Sequence, residues 1–564
     1  MVLILLSWLY VFVTASSLGI SFSKLLGIPL RNITFTSVLG LFAVTLLASI
    51  WAIFGSINLS FAIFLTAISL FSLYSFRSDW HSLWITTVES IQSFSLPLKL
   101  LFLLTSILIL AQSATAPFVI DNETYYVQTI KWLNEYGFVP GLANLHLFFG
   151  QTSGWHIAQS AYSLSFVYDK FNDLNGFLLL ILNLWSFQQL HSYSVSQNKI
   201  DLTFGLLPLS YLFLFQFVNA PSPDLAVYSI AILAFSVYIS EDNTTVKLKL
   251  LSALLLFAVY IKITAVVLLL LPLMAWIKYR KQINNPLIPI RLLTGLVVLL
   301  FVIKNSILTG YPLYPLTFFP NSDADYVVPK DILSYFFSDD MMHSFYLPFG
   351  TFDKASLLEI VKAYFLYNGI DSLIGCLTLF LVMITPFILK KYYPKQGLAN
   401  IYWVFIVLLL LLIISSPQYR FYVYFTIFFG LLILAIVLSK EKVRLAVLGL
   451  NGLVCAVMVL VPMSFSSLTN NVMLTKNSTF EANNLFFPKA NSKKNIAFTI
   501  EKKGNLQYNA PQNTEIFWTT GNGALPTVSK DQLNYFETYF NVIPQRRGKT
   551  LGEGFKAQKV NLND

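Results

Sequence analysis

Uninterrupted apolar runs, such as residues 405–414, recur along the chain and restrict its fold more than any single motif does. A soluble protein cannot hide so many, and a transmembrane β-strand alternates apolar and polar positions instead of running apolar throughout. With 56% hydrophobic and 11% charged residues over 564 positions and a mean hydropathy of +0.66, the chain would lack polar cover in water. The fold class expected is an all-α polytopic membrane protein.

One crossing per stretch of roughly 20 apolar residues predicts about fourteen transmembrane helices between residues 2 and 464. The first, residues 2–20, lacks a basic leader and a cleavage pattern, so it reads as a retained helix. If all fourteen alternate, the basic loops fall on one side: Lys24 and Arg31, Lys247 and Lys249, Lys278 to Arg291, Lys390 to Lys395, and Lys440 to Arg444. That side is then cytoplasmic. Loops 117–173 and 309–370 and everything after residue 465 are extracytoplasmic. The least secure segment is 248–278, where one apolar stretch is broken only by Lys262; two short helices and one long tilted helix both fit it.

Residues 1–465 thus form the membrane domain. Residues 466–564 are polar, Asn-rich and punctuated by Pro488, Pro511, Pro526 and Pro544, with β-prone pieces at 495–500 and 515–519. They suggest a small β-rich extracytoplasmic region, long enough for a minimal core but with a low apolar content that argues against independent stability. The net charge of +10 lies mostly in short loops, so it signals orientation and not a nucleic-acid partner. Cys376 and Cys455 both sit in apolar runs and read as core residues. The sequence carries no internal repeat and no phosphate-binding GxxxxGK[ST] loop.

Asp121 and Glu123 stand directly after the apolar segment 98–118. Acids there must face an aqueous site at the membrane boundary. Tyr126, Ile130, Leu133 and Tyr136 then recur at helical spacing, predicting a helix on the membrane surface that Gly137 and Pro140 end. Asp121 reads either as that helix's N-cap or as a functional acid, and Glu123 either favours its positive end or shares the chemistry.

The acid after an early helix, followed by the aromatic-rich stretch from Tyr125, resembles the first extracytoplasmic loop of type C glycosyltransferases (GT-C). The resemblance implies that Asp121, with Glu123, is catalytic, either as base on an acceptor or, for Asp121, as ligand to a divalent cation such as Mg or Mn. It also implies a sugar donor carried on polyprenyl phosphate. The strings from Tyr125 to His146, Ser222-Pro-Asp224, Lys304 to Pro315 and Gly548 to Lys556 resemble an uncharacterised family of bacterial multi-pass proteins bearing a domain of unknown function. That likeness implies a bacterial inner-membrane protein and no particular activity.

Lys262 inside an apolar stretch needs an anion, whether Asp224, Glu123 or a lipid-linked phosphate, or else a route for its ammonium to the headgroups. Asp224 follows Pro221-Ser-Pro and reads as a helix cap or as a site residue. Arg420, directly after Ser415-Ser-Pro-Gln-Tyr, presents a donor fork suited to phosphate oxygens, and Lys304 poses the same choice between ligand and rim. Tyr125 and His146 complete the expected substrate-binding set of Lys262, Arg420, Asp224 and Lys304. His146 and His156 lack the spacing of a helical metal pair, and the acids of loop 309–370, such as Asp323 and Asp325, read as solvated. Two functions are therefore expected: a membrane glycosyltransferase whose partners are the bilayer and a lipid-linked sugar, or a transporter, flippase or assembly component for cell-envelope polysaccharide.

Overall fold

A computed structural model describes the chain except residues 30–31, 169–170, 172, 241–243, 284–286, 345–346, 348–354, 367–368, 395–396, 466–476, 493–495, 515 and 561–564, and the side chains of 339–344. Arg31, Lys395 and the starts of both β-prone pieces therefore lie outside the described residues, as do the side chains of Asp339 and Asp340.

Every one of the expected apolar runs is helical. Among the described residues, eight helices are long and apolar enough to cross a membrane, or nine if the pair Leu59–Ser75 and Arg77–Gln92, bent by 85°, makes one span. Four more apolar helices are shorter: Pro223–Ile239, Ile263–Tyr279, Leu398–Ile413 and Val423–Val437. The helix Leu174–Ser196 is long but carries Asn175, Asn183, Gln188, Gln189 and His191. The protein is thus a multi-pass helical membrane protein with one large apolar core. Small residues let its first two helices touch: a methyl added at Gly40 would lie 1.7 Å from the carbonyl oxygen of Ala15, and one at Gly19 would lie 2.0 Å from that of Thr36.

The bundle has two chemically distinct ends. At one, Lys24 pairs with Asp79, and Lys249 reaches to Gly27. Lys247 lies over Tyr238, Lys199 and Lys391 over Tyr392, and Arg444 over Tyr193. The helix Arg77–Gln92 turns sideways at this end, with Trp84 and Ile85 exposed.

At the other end gather residues 114–163, the turn 217–224, the break at Lys262, residues 304–328 and the C-terminal region. The helix expected on the membrane surface is instead buried. A π-helical turn, Asn122–Tyr126, leads into Val127–Glu135, and almost every side chain of both is covered. Asn134 donates to the carbonyls of Ile57 (2.6 Å) and Ser160 (3.0 Å) on one side, and the C-terminal region covers the other.

Two antiparallel hairpins form that region, Phe498–Lys503 with Leu506–Pro511 and Val542–Arg546 with Phe555–Lys559, together with the helix Lys530–Phe540. The first strand coincides with one β-prone piece; residues 516–519 of the other are not a strand. Its apolar side chains do not make a core by themselves. Leu506, Tyr508, Val528, Leu533 and Phe555 share one cluster with Tyr126, Trp132, Val139 and Phe149, and Phe536 and Val542 share another with Tyr311, Ile332 and Phe336. The region thus completes the core of the two loops beneath it instead of enclosing one of its own.

Candidate functional site

Four charged side chains from four distant segments meet at this second end. Asp121 occupies the N-cap position of the π-helical turn, but its side chain caps nothing. Its carboxylate instead accepts from the Arg420 guanidinium at 2.5 Å and from the Tyr126 hydroxyl at 3.2 Å, both on Oδ2. Arg420 is presented by the short turn Tyr419–Phe421, whose backbone is fixed where the Tyr228 hydroxyl donates to the Arg420 carbonyl at 2.7 Å.

The second pair is deeper. Ser222, not Asp224, caps the helix Pro223–Ile239, and this leaves the Asp224 carboxylate to pair with the Lys262 ammonium. Lys262 itself is the break between two helices. Thr244–Ile261 stops, Lys262 is extended (φ −148°, ψ 118°), and a 3₁₀ segment begins at Ile263. Two helices, and not one tilted one, therefore occupy this apolar stretch, and the break aims the ammonium at Asp224. The Phe421 ring joins the pairs, with Lys262 Nζ 4.4 Å and Arg420 Cζ 5.4 Å from its centroid.

Exposure is graded across the cluster. The Asp224 side chain is 3% exposed, Asp121 16%, Lys262 22% and Arg420 31%. Two acids and two bases cancel in a poorly solvated place, where each charge depends on its partner. The two cations, Arg420 and Lys262, are the more accessible members and the two acids the more covered ones.

The other expected site residues surround this cluster or turn from it. Tyr125 is buried, stacked on Phe148 at 5.0 Å, and its hydroxyl is pushed well above the usual phenol range by burial and then by Asp121. His156, near both tyrosine rings (5.9 and 4.9 Å), accepts from the backbone N–H of Ser153. Burial first, then Lys304 and Lys262, hold its imidazole down to about 3. Lys304 is buried, donates to the Thr152 carbonyl, and meets no carboxylate among the described residues. Glu123 faces away, accepting from the Ser492 hydroxyl at 2.7 Å. His146 lies under the C-terminal region, bonded to the Trp518 carbonyl at 3.0 Å, and burial lowers it to about 4.

Sequence reasoning singled out the four charges but missed the aromatic groups that couple them, Tyr126, Tyr228 and Phe421. The available signal was position: Phe421 follows Arg420 directly, and Tyr126 lies five residues from Asp121 on a turn that brings them together. Among the described residues no three His, Cys, Asp or Glu side chains gather as a metal-binding group. Asp121, the one expected metal ligand, is engaged by a guanidinium and a phenol, so these residues do not make up the oxygen-rich shell of a divalent cation.

No curated protein and no solved structure matches the chain. Residues 1–427, which include all four charges of the cluster, match the family defined by a domain of unknown function, DUF8201, and the chain belongs to that family.

Proposed function

We propose that the protein is a GT-C-type membrane glycosyltransferase that takes a sugar from a polyprenyl-phosphate-linked donor. The positive-inside rule makes the basic end cytoplasmic, so the charged cluster faces the extracytoplasmic side of a bacterial inner membrane. Reading the fourteen helical segments all as crossings gives the same result. The observation that carries the proposal is the meeting of Asp121 with Arg420 beside the Asp224–Lys262 pair, the two pairs sharing the Phe421 ring.

The chemistry follows from what each group releases or holds. A donor phosphate competes with Asp121 for the Arg420 fork, and a guanidinium suits either anion. Once displaced, Asp121 keeps its bond from Tyr126 and becomes the general base. The acceptor oxygen forms a bond to the sugar's anomeric carbon, its proton passes to Asp121, and the bond to the phosphate oxygen breaks with its electron pair. Arg420 and Lys262 stabilise the charge developing on that phosphate.

The test is transfer from polyprenyl-linked sugar in membranes containing Asp121→Asn. A loss of about 100-fold or more is expected for a general base; undiminished transfer refutes the assignment. Retained transfer with lost movement of lipid-linked sugar across the membrane would instead favour the flippase reading.

A further inference from the structure

The turn that carries Asp121 is held from outside the membrane domain. The Glu123 carbonyl accepts from the backbone N–H of Thr520 (2.9 Å) and of Gly521 (2.8 Å). The Thr520 hydroxyl donates to the Thr124 carbonyl at 2.7 Å, and Ser492 donates to the Glu123 carboxylate at 2.7 Å. On the flanks, the Asn122 amide donates to the Asn491 carbonyl (2.7 Å), and Gln128 and Lys131 both donate to that of Gly523 (2.8 and 2.9 Å).

These bonds account for the π-helical form of the turn. A carbonyl has two lone pairs, and two amides of the C-terminal region already occupy those of Glu123. The amide four residues on then has no free acceptor there, so the ladder slips to the wider i to i+5 pattern. Such a turn holds one residue more than an α-turn. If it relaxed to α, Asp121 would rotate by about 100° around the helix axis and leave Arg420.

We propose that residues 491–492 and 520–523 are a positioning clamp: they hold turn 122–126 in its π-helical form and so aim Asp121 at Arg420. The inference rests on the reading of Asp121 as the acid of the site. It makes Glu123 a positioning residue, not a catalytic one. It also places an essential part of the site beyond residue 427, where the family match ends.

The clamp is tested on the full-length protein in detergent by hydrogen exchange and by labelling of Arg420 with phenylglyoxal. Thr520→Val keeps the shape and the backbone bonds but loses the hydroxyl; Thr520→Ser restores it; Ser492→Ala weakens the hold on Glu123. Amide exchange over 119–131 is expected to quicken about tenfold in Thr520→Val, further in the double variant, and to return to the wild-type rate in Thr520→Ser. Arg420 labelling is expected to rise several-fold both in Thr520→Val and in Asp121→Asn. Helices Val2–Leu26 and Ile33–Phe54 should exchange as before.

Unchanged exchange over 119–131 overturns the clamp. So does faster exchange spread evenly over the membrane helices, which marks a general loss of stability. If the double variant does not fold, Thr520→Val alone decides. Neither readout uses glycosyl transfer, so a failed clamp is distinguishable from a failed function.

Discussion

The two ends of this bundle use the same charged residue types under opposite conditions. At the basic end, Lys24 and Asp79 pair at 2.6 Å with side chains 45% and 42% exposed, on the rim of an open cleft of about 830 Å³ that Ser23, Pro29 and Thr86 also line. At the other end, the Asp224–Lys262 pair is 3% and 22% exposed and is capped by the Phe421 ring. Water and salt screen the first pair, and little of either reaches the second. An open cleft beside a screened pair is therefore a weak functional sign. Charges kept in a dry place at the cost of desolvation are the stronger functional sign.

The strongest way to break this comparison is to remove one partner from each pair. Asp224→Ala leaves the Lys262 ammonium without its bonded partner and, among the described residues, with the Phe421 ring and the more distant charge of Asp121; a charge so stripped in such a site costs about 3–5 kcal/mol. Thermal unfolding in detergent should show it as a large fall in Tm and in yield. Asp224→Ala combined with Lys262→Leu removes both charges and should recover most of the loss. If the single and double variants are equally unstable, the pair is not the cause.

Acidification probes the same end without mutation. The imidazoles of His146 and His156 are depressed to about 4 and about 3, against about 6.5 in an unfolded chain. Between those values the unfolded state binds more protons than the folded one, so stability rises with pH. Lowering the pH from 6.5 to 5.5 should therefore cost roughly 2 kcal/mol from the two histidines, about 1 kcal/mol each, because half of the unfolded imidazoles are already charged at pH 6.5. His146→Gln should remove about half of that slope. Asp173, whose carboxyl burial raises to about 7, returns about 1 kcal/mol over the same range, so the decisive reading is the difference between the parent protein and His146→Gln: equal pH dependence in the two would show that the outer end is not as dry as its packing implies.

How much of this was legible in the sequence divides along the range of the interaction. Helices follow from local composition, so the apolar runs were readable, and Lys262 was readable as a group that demands a partner because an ammonium in an apolar stretch is costly, although whether it broke the helix stayed open. The same demand led to the expectation that Asp121, Lys262 and Arg420 share one wet place; the structure does gather them, but in a poorly solvated one. What the sequence could not give was who pairs with whom, or how. Ser222 took the capping role open to Asp224, and Glu123 turned to Ser492 instead of the cluster. The π-helical turn depends on amides nearly four hundred residues away, as Thr520 to Glu123 shows. Helical spacing from Tyr126 to Tyr136 marked an amphipathic helix but not what would cover it. The buried shelf made by Thr520, Gly521 and Gly523 has no local signature. Nor does the span count follow from the runs, because broken helices shorten crossings that the composition alone would allow.

The smallest expected effect is the control that gives the others meaning. Asp79→Ala removes the partner of Lys24 at the basic end, where both side chains are nearly half exposed. The freed ammonium keeps its place over the Phe76 ring at 4.5 Å and remains hydrated. An exposed pair of this kind contributes at most about 1 kcal/mol, and less as salt rises. Tm should therefore move by little in low salt and by nothing measurable in high salt, while Asp224→Ala keeps its full deficit in both. A salt-insensitive loss at Asp79 of the size expected at Asp224 would mean that the helix Arg77–Gln92 depends on this pair for its docking. The contrast between a screened end and a dry one would then no longer explain where the chemistry lies.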